Sequence, residues 1–141
     1  MGSFVKSIKG EVLSIMQENK KIESFKDLAA WQEGHKLVLI TYKITQNFPK
    51  EEIFGLTSQI RRCVVSITSN LAEGFSRSSY EEKLQFYAMA LGSLTEWQNQ
   101  LLISRDINYI SESEYLDGEK QSIVVSKLIN GLLKYLKSHN T

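Results

Sequence analysis

From Asp27 onward the apolar residues of this chain recur three and four positions apart, and that spacing constrains the fold more than any other feature. The clearest stretch is Ile60, Val64, Ile67 and Leu71, at intervals of four, three and four. On a helix of 3.6 residues per turn these side chains form one continuous row, the seam of a bundle, whereas on a strand they would scatter over both faces. Pro49 is the single proline in 141 residues, and Asn-Gly or Asp-Gly pairs are few, so the turn chemistry that β-hairpins require is missing.

The same periodicity divides the chain into four bundle helices. The first runs from Asp27, a carboxylate N-cap, to Phe48, where Pro49 stops it; Leu28, Trp31, Val38 and Tyr42 form one row, and Leu37, Ile40, Ile44 and Phe48 another. The second begins at a hydroxyl cap, Thr57 or Ser58, and ends near Glu73, with Gly74 in the left-handed position beyond it. The third opens at Ser78 or Ser79, with Glu81 or Glu82 completing a capping box, and turns Leu84, Tyr87, Leu91, Leu94, Trp97 and Leu101 inward. Continued to Tyr109 it would be roughly 45 Å long. Its small residues Ala88, Ala90, Gly92 and Ser93 predict close approach of another backbone, because a mid-helix glycine otherwise costs about 1 kcal/mol. The fourth starts at a Ser111–Glu114 capping box and carries Leu116, Ile123, Val124, Leu128, Leu132, Tyr135 and Leu136. Short connections force alternating directions, giving an all-α, up-and-down four-helix bundle over residues 25–141. Residues 1–24 read as an N-terminal extension: Phe4, Ile8, Val12, Ile15 and Met16 mark a short amphipathic helix, and Glu18 to Glu23 a hinge.

The chemistry-bearing residues are sparse. Lys and Arg total 17 against 16 Asp and Glu, a net charge of +1, so any basic surface must be local. Cys63 is the only cysteine, without a His or Cys at metal spacing, and reads as a small buried hydrophobe. Of the two histidines, His139 lies in the C-terminal tail and His35 on the buried side of the first helix, as a core or interface residue. Trp31, Trp97, Tyr42 and Tyr87 fall on core stripes and read as core or subunit-interface aromatics. Phosphate loops, nucleophile elbows and helical Glu-x-x-His motifs do not occur, which predicts a non-enzyme without cofactor or metal. The expected location is cytoplasmic, since no run approaches the roughly 18 apolar residues of a membrane span and no secretion signal opens the chain.

One segment stands apart, from Gln59 through Arg61 and Arg62 to Asn70, Glu73, Gly74 and Arg77. With the aliphatic row inward, Arg62, Ser66, Ser69 and Glu73 share a polar stripe, and Arg61 flanks it about 100° away. Residues 56–78 carry a net charge of +2 and residues 79–111 a net charge of −2. Two readings stay open: a solvated face whose arginines pair with nearby acids, or a surface for phosphates or an acidic partner. Asn70 either solvates the helix end or makes an interhelical hydrogen bond that fixes register.

Several motifs together resemble a known family. They are Phe25-x-x-Leu28-x-x-Trp31-Gln32, Phe48-Pro49, Gly55-Leu56-x-x-Gln59-Ile60-Arg61-Arg62, Asn70-Leu71-Ala72-Glu73-Gly74-x-x-Arg77 and Ala90-x-Gly92-Ser93-Leu94-x-Glu96. The sequence is similar in these to the four-helix-bundle proteins encoded in bacterial 23S rRNA intervening sequences, with the accessory protein of diversity-generating retroelements a more distant relative. The resemblance covers about Phe25 to Ser138. It implies a ring-like homopentamer, no enzymatic activity, and association with RNA, DNA or a protein partner. Arg61, Arg62 and Arg77 are then the contact residues, and Gln59, Asn70, Glu73 and Gly74 the structural motif. Thr68 stands where many members carry proline, which predicts a straighter second helix here.

Overall fold

The computed structural model describes residues 2–16 and 21–139. It contains five α-helices: α1 (Gly2–Met16), α2 (Ala29–Thr45), α3 (Leu56–Ser76), α4 (Tyr80–Asp106) and α5 (Glu112–Ser138), with 3₁₀ turns at Phe25–Asp27 and Lys50–Glu52. Helices α2 to α5 form the bundle: α3 lies between α2 and α4, and α5 closes the ring against α4 and α2. Cross-contacts fix the directions. Arg61 of α3 reaches Thr45 of α2, Cys63 reaches Ser93 of α4, and Gln98 of α4 reaches Ser122 of α5, so sequential helices are antiparallel. Helix α1 lies outside this square on α5.

The predicted seam is the centre of the molecule: Ile60, Val64, Ile67 and Leu71 are all fully buried. Each contributes roughly 1.5–3 kcal/mol by leaving water. They meet Leu37, Leu94, Trp97, Leu101, Val124 and Ile129 in one continuous core. Trp97 is wholly enclosed, and its indole N–H donates to Thr41 Oγ1 at 3.0 Å across the bundle diagonal. That bond satisfies the one polar atom of the largest core side chain, and Thr41 in turn donates to the Leu37 carbonyl at 2.7 Å.

Several expected boundaries move. Asp27 does not cap α2; Ser24 caps the 3₁₀ turn, and the Asp27 carboxylate reaches back to accept from the Glu23 and Ser24 amides at 2.9 and 3.1 Å. Helix α2 then starts after Leu28 with no side-chain cap and ends at Thr45, short of Phe48. Gly55, and neither Thr57 nor Ser58, occupies the N-cap of α3, because Thr57 is drawn into the core. Helix α3 runs uninterrupted past Thr68 to Ser76, and Gly74 is helical: the described residues contain no glycine at positive φ. What Gly74 provides is room, since a Cβ there would stand 2.7 and 2.9 Å from ring carbons of Tyr87. Ser79 caps α4 as expected, accepting from the Glu82 amide, but the helix ends at Asp106. Asn108 (φ 64°) turns the chain, with Asn108 N–H on the Arg105 carbonyl and Tyr109 N–H on the Ser104 carbonyl, a Schellman closure. The Ser111–Glu114 capping box of α5 forms in full.

Some inward residues were also misplaced by the periodicity. Leu116, Tyr135 and Tyr42 are 46%, 58% and 42% exposed; Tyr115, Gly118, Ser122, Val125 and Ile129 turn inward instead. The α5 stripe is offset by one residue at its start, so the Tyr115 side and not the Leu116 side faces α4. Gly92 and Ala88 are exposed, with nothing within 4 Å of a Cβ built on Gly92, so the glycine does not mark a close backbone approach; Ala90 is buried and the Ser93 carbonyl accepts from the Cys63 thiol. In α1, Ile8 and Val12 are buried and Ile15 half-buried. The side chains of Phe4 and Met16, and residues 18–20 of the expected hinge, lie outside the described residues.

Candidate nucleic-acid interface

Helix α3 positions the predicted arginines, and its inward aliphatic row fixes where each one goes. Arg61 turns toward α2: its Nε–H donates to Thr45 Oγ1 at 2.8 Å and its guanidinium lies 4.7 Å from the centre of the Tyr42 ring. Arg77, at the far end, lies 3.2 Å from Glu73, 3.8 Å from Glu82 and 4.8 Å from the Phe86 ring. Its charge is answered within the chain. Arg62 is exposed and has no hydrogen-bond or ion-pair partner among the described residues. The three arginines therefore do not form one patch; they point to three different neighbourhoods.

Asn70 does not bridge helices directly. Its Nδ2 donates to the carbonyl and the hydroxyl of Ser66, one turn back, and Ser66 Oγ lies 2.9 Å from Ser93 Oγ of α4. The register link between α3 and α4 thus runs through two serines, with Asn70 orienting the first. Beside them the Cys63 thiol donates to the Ser93 carbonyl at 3.0 Å. Burial, aided by the negative charge of Glu96, pushes that thiol up to about 12. Cys63 is accordingly a protonated packing residue and not a nucleophile. Lys83, its pKa lowered by burial, closes the end of α3 by donating to the Gly74 and Phe75 carbonyls at 3.2 and 2.7 Å.

Above Cys63, between the start of α3 and the middle of α4, an open notch of about 490 Å³ is lined by Phe54, Ser58, Gln59, Arg62, Cys63 and Glu96. Gln59 and Arg62 come from one of the sequence motifs and Glu96 from another, distant in sequence but lining the same notch. Glu96, like Arg62, is exposed and unpaired among the described residues. Phe54 at the rim is 94% exposed, and sequence reasoning missed it. The only available signal was an Ile-Phe pair in a connection too short to fold back on the core.

His35 is on the solvent side of α2, stacked on Trp31 with ring centres 4.9 Å apart, and not buried as expected. Among the described residues no group of His, Cys, Asp and Glu is arranged to hold a metal, and no helix is long and apolar enough to cross a membrane.

The fold and this surface define an all-α four-helix bundle with interhelical notches. The profile of the 23S rRNA-intervening sequence protein family matches residues 26–131, and the chain belongs to that family. A solved structure from Bacteroides thetaiotaomicron, described as a protein of unknown function from the S23 ribosomal protein family, superposes with a TM-score of 0.70 at 21% identity. The superposition covers 77% of this chain and 98% of that one, and it shows the shared fold. No curated protein matches the sequence.

Proposed function

We propose that the protein is a non-enzymatic, homo-oligomeric binding module that associates with RNA through the arginines of α3, with a homopentamer as the assembled form. The observation that carries this reading is Arg62: a guanidinium held on α3, exposed, and without an ion-pair partner among the described residues, when Arg77 at the end of that helix has two. A planar donor fork of that kind suits phosphate and base edges. The family's description names the 23S rRNA intervening sequence, and that name is the support it lends to an RNA ligand. Arg61, turned toward α2, adds positive charge on the adjoining face of α3, and Arg77 contributes where an RNA phosphate displaces Glu73 or Glu82.

The test is binding of single-stranded RNA as ionic strength is raised. Phosphate contacts release counterions, so affinity should fall steeply with salt, and an Arg61→Glu, Arg62→Glu double variant should bind at least about tenfold more weakly with a flatter salt slope. Undetectable binding at low salt, or an unaltered double variant, overturns the reading.

A protein–protein scaffold is the second reading, favoured by exposed apolar side chains: Ile53 and Phe54 at the loop tip, and Leu39, Tyr42 and Val65 on α2 and α3. Association that persists at high salt would support it over RNA binding.

A further inference from the structure

Resting on the RNA reading, we propose that the notch between α3 and α4 is a pocket for one unpaired guanine, stacked on Phe54 and read on its edges by Arg62 and Glu96. A phenylalanine that is 94% exposed contributes nothing to the core, and its flat ring at the mouth of a polar notch is what an unstacked base requires. The notch, at about 490 Å³, falls in the ordinary range for small-ligand sites, roughly 300–1,000 Å³.

The choice of base follows from charge. A site for phosphate alone would not set a carboxylate in the same notch as its guanidinium. Here Glu96 and Arg62 line the same space without pairing to each other or to another described residue, so each keeps its hydrogen-bonding capacity for a third group. Guanine fits both: its N1–H and exocyclic N2–H are adjacent donors for a carboxylate, and its O6 and N7 are adjacent acceptors for a guanidinium. Adenine offers an acceptor at N1 and a donor at N6, which leaves like facing like at both side chains. Ser58 and Gln59, one turn before Arg62, supply further neutral donors and acceptors on the same wall. Cys63 forms an uncharged floor, its thiol already engaged by the Ser93 carbonyl.

The experiment uses the full chain and short oligouridylates carrying one central guanosine, inosine or adenosine, with binding followed by fluorescence anisotropy at low salt. The guanosine strand should bind tightest, inosine less tightly because it lacks the N2 donors, and adenosine weakest. Phe54→Ala should weaken the guanosine strand about tenfold, the usual consequence of losing one stacking platform. Glu96→Gln should weaken the guanosine strand and narrow its preference over inosine, because the amide keeps one acceptor where the carboxylate offers two. All three side chains are on the surface, so these variants keep the fold. Equal binding of guanosine and adenosine strands, or an unchanged Phe54→Ala, overturns the pocket while the RNA reading stands. Loss of self-association in Phe54→Ala, measured by solution mass, with unaltered RNA binding, overturns it in favour of a subunit contact. Absence of binding to every strand overturns both.

Discussion

Cys63 shows how much of a residue's chemistry is set by neighbours that the sequence does not display. As a lone cysteine it reads correctly as a buried hydrophobe, yet its hydrogen bond to Ser93 and its closeness to Glu96 join residues about thirty positions apart. Burial comes first and the Glu96 charge second in raising the thiol from 9.0 to about 12. In the unfolded chain the thiol loses its proton near its ordinary value, while the folded protein retains it. Stability from this group is therefore fully present below pH 9 and is lost as pH rises toward 12. Tyr87, raised above its ordinary value of 10.0 by its own burial, acts in the same direction. Denaturant titrations at pH 8 and pH 10.5 should show the wild type losing more stability than Cys63→Ala over that interval; equal losses would place the thiol's titration elsewhere. A native thiol unreactive toward alkylating reagents at pH 8 is the companion expectation.

At the scale of elements, the helices were legible and their ends were not. The aliphatic seam, the Ser79 cap and the Ser111–Glu114 box could be read because each is a local pattern with a local cause. The Asp27 assignment failed because a local capping box with Ser24 claims its carboxylate for the preceding 3₁₀ turn, and the Thr57 and Gly74 assignments because tertiary packing decided them: Thr57 is buried, and Gly74 faces the Tyr87 ring. Gly74 separates the two explanations experimentally. At a left-handed cap, alanine would cost about 1 kcal/mol whatever lies opposite. At a helical position pressed on a ring 2.7 Å away, the cost comes from overpacking, about 1–3 kcal/mol, offset by about 1 kcal/mol of better helix propensity. Gly74→Ala should lower the melting temperature in the wild type, and much less in a Tyr87→Ala background. Equal losses in both backgrounds would return Gly74 to a purely local role. The arginines follow the same logic: that α3 carries them outward was readable, but their division among Thr45, the Glu73–Glu82 pair and the notch depends on which helix lies next to each.

For the whole molecule the question is what α1 adds to a fold that is recognisable without it. The family match begins at residue 26, and the bundle core of α2 to α5 closes on itself. Helix α1 buries Ile8 and Val12 and places Glu11 4.0 Å from Lys120 of α5. These two apolar side chains are worth roughly 1.5–3 kcal/mol each and α1 packs mainly on α5, whereas each bundle helix packs on two others, so α1 should be the most weakly held of the five helices. A chain shortened to begin at Ile22 keeps the Ser24 and Asp27 cap and should retain a cooperative helical melt. Its midpoint should fall by only a few degrees, on the order of 2–4 °C for each kcal/mol lost. Hydrogen exchange on the full chain should report the same hierarchy, with α1 amides exchanging well before those of α3. A shortened chain without a cooperative transition would show instead that α1 is an integral fifth helix, and that the fold's stability does not reside in the square of α2 to α5.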